Sequence, residues 1–582
     1  MKILLTAVNA KYIHSNLAVY DLKSFAKKWE EHLELAEYTI NQPMDDVIRD
    51  IYTRQPDVIC LSCYIWNISY VNQLTTILHQ IMPQIPIWLG GPEVSFDPEQ
   101  ELRNMPQITG ILVGEGEQTF CELTEYYVCD KLKLDSIHGL VYRTGVSLKN
   151  DENEAANSNP EIIRNAPRNP MDLSEVPFPY YDCLSDFKNK IIYYETSRGC
   201  PFSCSYCLSS VDKRLRFRDL ALVKRELQFF IDHEIAQVKF VDRTFNCAHE
   251  HAMAIWRYII EHDKGKTNFH FEVAADLLNE EEIALIQTMR PGLIQLEIGV
   301  QTTNEKTLEA IRRKMDFSKV EDIVNQIHKN HNVHQHLDLI AGLPYENLES
   351  FENSFNQVYA LKPEQLQLGF LKVLKGSYMY EAAAEYGCVY KPFPPYEVLS
   401  TRWLGYAEVL KLKQVEEMVE VYYNSGQFTN TIEYLVKEYA HPFSFYEALG
   451  KFYETHNYSQ ISHSRIRRYD ILLEFVRERN VELEARVIDY MMLDLYLREN
   501  VKSRPSWAPE YGRIKDIIRA WYQQQEIKQD TRTHVEYLLG EWYYFDYQHK
   551  NPLTGNAEYK TICMDTGKYS ETNQESGEHI EI

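Results

Sequence analysis

The stretch CPFSCSYC, residues 200–207, places the thiols of Cys200, Cys204 and Cys207 in one short loop with an aromatic directly before the last. Spacings of three and then two residues let that loop wrap round a single metal centre. Three thiolates leave a closed tetrahedral zinc site one ligand short. They suit a cubane [4Fe-4S] cluster in which the protein caps three irons and the fourth is free to hold a small molecule's amine and carboxylate. A zinc knuckle, or thiols that merely pack, is the alternative the spacing leaves open. Cys60 and Cys63 lie in an apolar run and read as buried thiols.

Bulk properties narrow the setting. Eleven cysteines spread unevenly over 582 residues do not suggest a disulfide framework. A formal charge of −24 argues against a nucleic-acid binder, because a phosphate backbone is met by clustered Lys and Arg. The one basic stretch, DKRLRFRD at 212–219, reads as a solvated edge after the cysteine loop. The start, MKILLTAV, reads as a buried first strand rather than a signal peptide. No run of about 18 apolar residues occurs, so no membrane span is expected and a cytoplasmic enzyme is the fitting class.

The thiols need elements to position them. Apolar runs at 2–8, 57–65, 85–91 and 108–116, separated by helical patterns, indicate a doubly wound parallel sheet over residues 1–135. Within 136–185, IHGLVYRTG suggests a short hairpin, and the polar Asn- and Pro-rich 149–170 suggests a linker or strap. Six further strands, at 190–197, 237–245, 268–277, 293–302, 332–344 and 365–376, alternate with helices. They predict a partial (β/α)6 barrel over 186–390 with its site at the strands' carboxyl ends, and the cysteines follow the first of them. Residues 391–565 read as a mostly helical, tyrosine-rich domain with a packed core, and 566–582 as a flexible tail. The fold class is α/β with this helical extension.

C-x3-C-x2-C with an aromatic before the third cysteine resembles the signature of the radical S-adenosylmethionine (SAM) enzymes. FEVAADLL, LEIGVQT and DLIAGLP on the third to fifth barrel strands are similar to segments of the same family. The resemblance implies that Cys200, Cys204 and Cys207 hold a [4Fe-4S] cluster whose open iron chelates SAM, which is cleaved to a 5′-deoxyadenosyl radical. It also implies that Glu272, Gln301 and Asp338 line the SAM pocket, with Asp242 and Arg243 of VDRTF in the place of the family's SAM-amine loop. That segment lacks the glycine pair seen in many members.

A doubly wound domain before such a barrel resembles the cobalamin-binding domain of the cobalamin-dependent radical SAM enzymes. LGGPEVSFDPE and VGEGEQTF match its ligand loops, so Gly90, Gly91, Gly114 and Gly116 are expected to let backbone approach a corrin. The D-x-H-x-x-G pattern is broken in KYIHSNL, where Tyr12 and Leu17 replace the aspartate and glycine. His14 therefore reads as a loop-packing residue, and the corrin's lower face is expected to meet water or uncharged side chains, with SCYIWNI and its Trp66 near it.

The implied activity is an oxygen-sensitive, cobalamin-dependent radical SAM methyltransferase acting on an unactivated carbon or phosphorus centre. Its partners would be a small-molecule or peptide substrate and an electron donor such as flavodoxin or ferredoxin, without membrane or nucleic acid. A radical rearrangement or cyclisation without net methylation, and a non-catalytic cobalamin or iron–sulfur sensor, are the alternatives.

Overall fold

Seven consecutive buried residues, Ile3–Asn9, form β1, and a strand covered on both faces carries a continuous apolar run rather than an alternating one. In the computed structural model, which describes residues 1–129, 131–144, 161–459, 461–510, 512 and 514–564, β1 is joined by β2 (Leu33–Thr39), β3 (Val58–Ser62), β4 (Ile87–Gly90) and β5 (Gly110–Leu112). These five run parallel in the order β2-β1-β3-β4-β5. The order reverses at β1 and β3, so their carboxyl ends open a crevice of the kind that binds ligands. Strand β2 was not among the expected elements. It is an edge strand of mixed burial, in which Glu34 pairs with Arg54 and the nearly buried Glu37 with Lys190.

The expected hairpin at IHGLVYRTG is corrected. Leu140–Arg143 is a single strand, β6, which pairs antiparallel with β5 and with β7 (Ile162–Arg164), extending the first sheet. The part of the proposed linker at 149–160 lies outside the described residues, as does the tail from 565. The segment after β7 is a packed strap rather than a loose one. Phe178, Tyr180 and Phe187 are buried against Tyr20, Tyr194 and Phe230, so the strap seals the first domain to the second.

The barrel begins at β8 (Ile192–Tyr194). Immediately beyond it, β9 (Ser197–Arg198) and β10 (Arg216–Phe217) form an antiparallel clip that closes the base of the cysteine loop. Strands β11 (Gln237–Phe240), β12 (Asn268–Val273), β13 (Ile294–Gln301), β14 (His334–Ala341) and β15 (Gln365–Phe370) complete a six-stranded parallel sheet in the order β15-β14-β13-β12-β11-β8. Its crossover helices start on side-chain caps visible in the sequence. Asp219, Asn279, Asn304, Asp316 and Asn347 each accept from backbone N–H groups of the first turn.

A short hairpin, β16 (Val389–Tyr390) with β17 (Val398–Ser400), leads into the helical extension. Its helix Tyr406–Val419 shares a core with the barrel, and Tyr422, Tyr446, Tyr453 and Tyr469 are buried in that core. The chain then forms an antiparallel sheet, β18 (Thr533–Leu538), β19 (Glu541–Lys550) and β20 (Ala557–Ile562), in a region whose sequence pattern suggests helix. Among the described residues no helix is long and apolar enough to cross a membrane.

Candidate functional site

The cysteine loop is fixed at its base before any ligand is considered. Asp242, at the end of β11, is fully buried. Its carboxylate accepts from the Thr196 N–H at 2.9 Å and from the Thr196 and Ser197 hydroxyls at 2.6 Å each. Both of its carboxylate oxygens thus hold the loop's first residues. Gly199 has φ +93°, and a Cβ there would stand 2.3 Å from the Arg214 carbonyl, so only glycine lets the clip close. The Cys200 N–H donates to Asp212 O at 3.0 Å and the Ser205 N–H to Ile311 O at 2.8 Å.

Cys200 and Cys204 are buried and Cys207 is half-buried. Burial, followed by lesser effects that include the charges of Cys207 and Cys204, pushes the Cys200 thiol up. Thiols that feel one another inside one loop suit a site that removes their protons to bind metal. Among the described residues, the group with three or more ligand atoms gathered within 4.8 Å is Glu297, His336 and Asp338. A cation completes the fit: Arg313 Nη1 lies 3.6 Å from Cys204 Sγ, and its other amino group donates to Gly299 O. The loop's residues therefore fit a cubane cluster.

Above the loop, a cavity of about 920 Å³ lies between the carboxyl ends of β1, β3, β4 and β5 and the mouth of the barrel. All four expected glycines line it, as do Arg243 and Glu272 from the barrel, and its far end reaches Leu208 and Ser209, next to Cys207. The glycines differ in what they do. Gly91 (φ +115°) passes so close to Cys63 that a Cβ would meet its carbonyl at 2.4 Å, a purely internal constraint. A Cβ at Gly90 would make only ordinary contacts, and one at Gly116 would press on Leu22 at 3.1 Å. At Gly114 (φ +82°) a Cβ would meet nothing within 4 Å, so its bare backbone fronts open space. A large flat ligand needs that room.

His14 and Trp66 also line this cavity. His14 makes a backbone bridge to Ile191 and an Nδ1 contact of 2.7 Å to the Tyr193 hydroxyl. Trp66 stacks on Tyr64 with ring centroids 4.4 Å apart and donates to Val8 O.

The remaining expected residues stand behind this wall, in the barrel lumen. Gln301 sits at a bulge in β13 with φ +72°, and its Oε1 is buried without a protein partner, beside the carbonyl that Arg313 holds. Asp338 lies 3.0 Å from His336 and is pushed up mainly by burial. Burial likewise lifts Glu272 to about 7, opposed by Arg243.

Several lumen and interface groups were not foreseen. Glu297 takes Lys239 at 2.9 Å and His270 at 3.0 Å. Arg198, two residues before Cys200, pairs with Glu195 just before it and with Glu117 at the start of the helix after β5, tying the two domains together. Arg313 sits in a run RRK that spacing rules do not single out. No periodicity marks such residues, because their partners come from other strands.

Comparison with known proteins accords with this division. Residues 3–124 match the B12 binding domain, residues 194–358 the radical SAM superfamily, and residues 384–578 a protein of unknown function family, DUF4080. The chain is 26% identical over 322 residues to the 2-(S-pantetheinyl)-carbapenam-3-carboxylate methyltransferase of Streptantibioticus cattleyicolor, covering 52% of this chain and 45% of that protein. It is 26% identical over 348 residues to an uncharacterized methyltransferase of Pyrococcus horikoshii, covering 58% and 72%. The match to the first of these relatives thus spans less than half of its length. The cobalamin-dependent SAM radical enzyme OxsB, solved with aqua-cobalamin bound, has the same fold at a TM-score of 0.57 and 16% identity, covering 90% of this chain and 82% of that one. With a match to the B12 binding domain ahead of a match to the radical SAM superfamily, the chain is similar in its order of modules to the cobalamin-binding radical SAM proteins.

Proposed function

We propose that this chain is a cobalamin-dependent radical SAM methyltransferase acting on a small-molecule or peptide substrate. The observation that carries the reading is the single cavity walled by Gly90, Gly91, Gly114 and Gly116 on one side and by Arg243 and Glu272 on the other, ending beside Cys207. When bound, the cluster supplies the electron that cleaves SAM to a 5′-deoxyadenosyl radical, and cobalamin supplies the methyl group. The chain's own residues bind and orient. Cys200, Cys204 and Cys207 would hold three irons. Gln301, with its unpartnered buried oxygen, together with Glu272, Arg243 and Asp338, would meet the polar groups of SAM. The glycine loops would take the corrin.

The relatives that carry methyltransferase names support methyl transfer over rearrangement, and a flavodoxin- or ferredoxin-type carrier would deliver the electron. The test is anaerobic reconstitution followed by assay for 5′-deoxyadenosine. The wild-type protein should form it, and Cys207→Ala should not. Retained production in that variant would defeat the assignment, and a product lacking the mass of one added CH2 would defeat methyl transfer.

A further inference from the structure

We propose that the outer face of the cysteine loop is the docking surface for an acidic one-electron carrier protein, a reading that rests on the proposed electron transfer into the cluster. Two segments distant in sequence meet there. Residues 212–214 come just after the loop and are bound back to it: Lys213 Nζ donates to Phe202 O and to Ser203 Oγ, at 2.6 Å each. Residues 312–314 come from the end of the helix Glu305–Ala310 and are joined to the loop through Ser205 N–H to Ile311 O. Lys213, Arg214, Arg312 and Lys314 are all exposed.

Their charges are not spent elsewhere. Among the described residues Lys213, Arg312 and Lys314 have no carboxylate partner; Arg312 lies over the Tyr378 ring at 3.4 Å. Arg214 has only a loose contact of 3.6 Å with Asp212. Of the acids on the neighbouring positions, Asp212 turns to Arg216, and Asp316 caps the helix Phe317–His328. Four exposed cations, none of them in a close carboxylate pair among the described residues, therefore flank the loop's two anchoring segments on a chain whose formal charge is −24.

Pro201 and Ser203 are exposed while Cys200 and Cys204 beside them are buried, so a single thickness of backbone separates the thiols from this surface. On so acidic a protein an acidic carrier is repelled nearly everywhere, and this patch gives it one attractive approach, at the redox centre. Four cations are too few for stable hold on a nucleic-acid backbone.

The test uses the full chain with its cluster reconstituted anaerobically. Two reductants are compared, flavodoxin hydroquinone and photoreduced 5-deazariboflavin, a small neutral donor. Flavodoxin should reduce the cluster about tenfold more slowly at ~300 mM salt than at ~20 mM salt. The double variant Arg214→Glu, Lys314→Glu should show a similar loss at low salt, with unchanged iron content. Reduction by deazariboflavin should be the same in every case.

A flavodoxin rate indifferent to both salt and substitution would overturn the proposal, as would an equal loss with the neutral donor. Binding of an RNA oligomer that vanishes in the double variant, with the flavodoxin rate intact, would reassign the patch to a phosphate backbone. Cluster reduction without SAM cleavage would sink the proposed function instead and leave the docking result readable.

Discussion

The Arg313 guanidinium reaches from the end of a barrel crossover to within 3.6 Å of the Cys204 sulfur while also donating to the Gly299 carbonyl of β13. A buried cation that donates to a ligating sulfur stabilises the more negative, reduced state of a cluster. Arg313→Gln should therefore lower the cluster's midpoint potential, by some tens of millivolts, in an EPR-monitored titration. A potential that stays put or rises would show that the contact does not act on the cluster.

A second arginine acts on stability rather than on redox. Arg218 and Glu226 are both buried, with paired contacts of 2.9 Å and 2.6 Å, and the Tyr194 hydroxyl donates to the same carboxylate. Arg218→Ala strands a buried carboxylate and should cost about 3–5 kcal/mol. Lys264→Ala, which breaks a half-exposed pair with Asp232, should cost far less. Denaturant midpoints of the two variants, measured side by side, decide it; equal losses would contradict the difference in burial.

Glu346 gives a pH dependence of definite sign. It is buried and accepts from the Thr302 hydroxyl at 2.6 Å, and burial lifts its pKa from 4.5 to about 8. The folded chain thus holds this proton more tightly than the unfolded chain. Its stabilising effect is complete below about pH 4.5 and is lost as the pH rises towards 8. Across that window Glu346→Gln should show a flatter thermal midpoint than the wild type, whose midpoint should fall more. Parallel curves would refute the shift.

Gly114 and Gly265 separate room for a ligand from backbone strain. Both have positive φ, +82° and +76°, and neither Cβ would meet an atom within 4 Å. Alanine at either site costs a similar ~1–2 kcal/mol of conformational strain. Only Gly114 fronts the cavity. Gly114→Ala should lower the cobalamin retained through desalting, read from its visible absorbance, and Gly265→Ala should not. Equal retention would remove the corrin from that loop.

The basic stretch 212–219 illustrates the reach of the sequence. As a run of charges it reads as one solvated edge, yet only part of it is. Lys213 and Arg214 are exposed, Arg216 pairs with Glu115 and Asp212, and Arg218 is buried on Glu226. Composition cannot sort these, because the partners come from the loop after β5 and from the helix Leu220–Asp232. Asp242 shows the same limit: the resemblance sets it in the place of the family's SAM-amine loop, but nothing in the sequence marks the hydrogen bonds it accepts from Thr196 and Ser197.

By itself the sequence determined what depends on near neighbours along the chain. The cysteine spacing, the apolar strand runs and the glycine-bearing turns are local patterns, and they sufficed for two α/β modules with thiols at a barrel mouth. Only the tertiary structure decided what depends on distant segments meeting. It joined β6 and β7 to the first sheet, formed the late sheet β18 to β20, and brought Arg313 beside Cys204. It also made one cavity from two domains. The reason is physical: burial and charge pairing are set by three-dimensional neighbours, and a one-dimensional period carries no record of them.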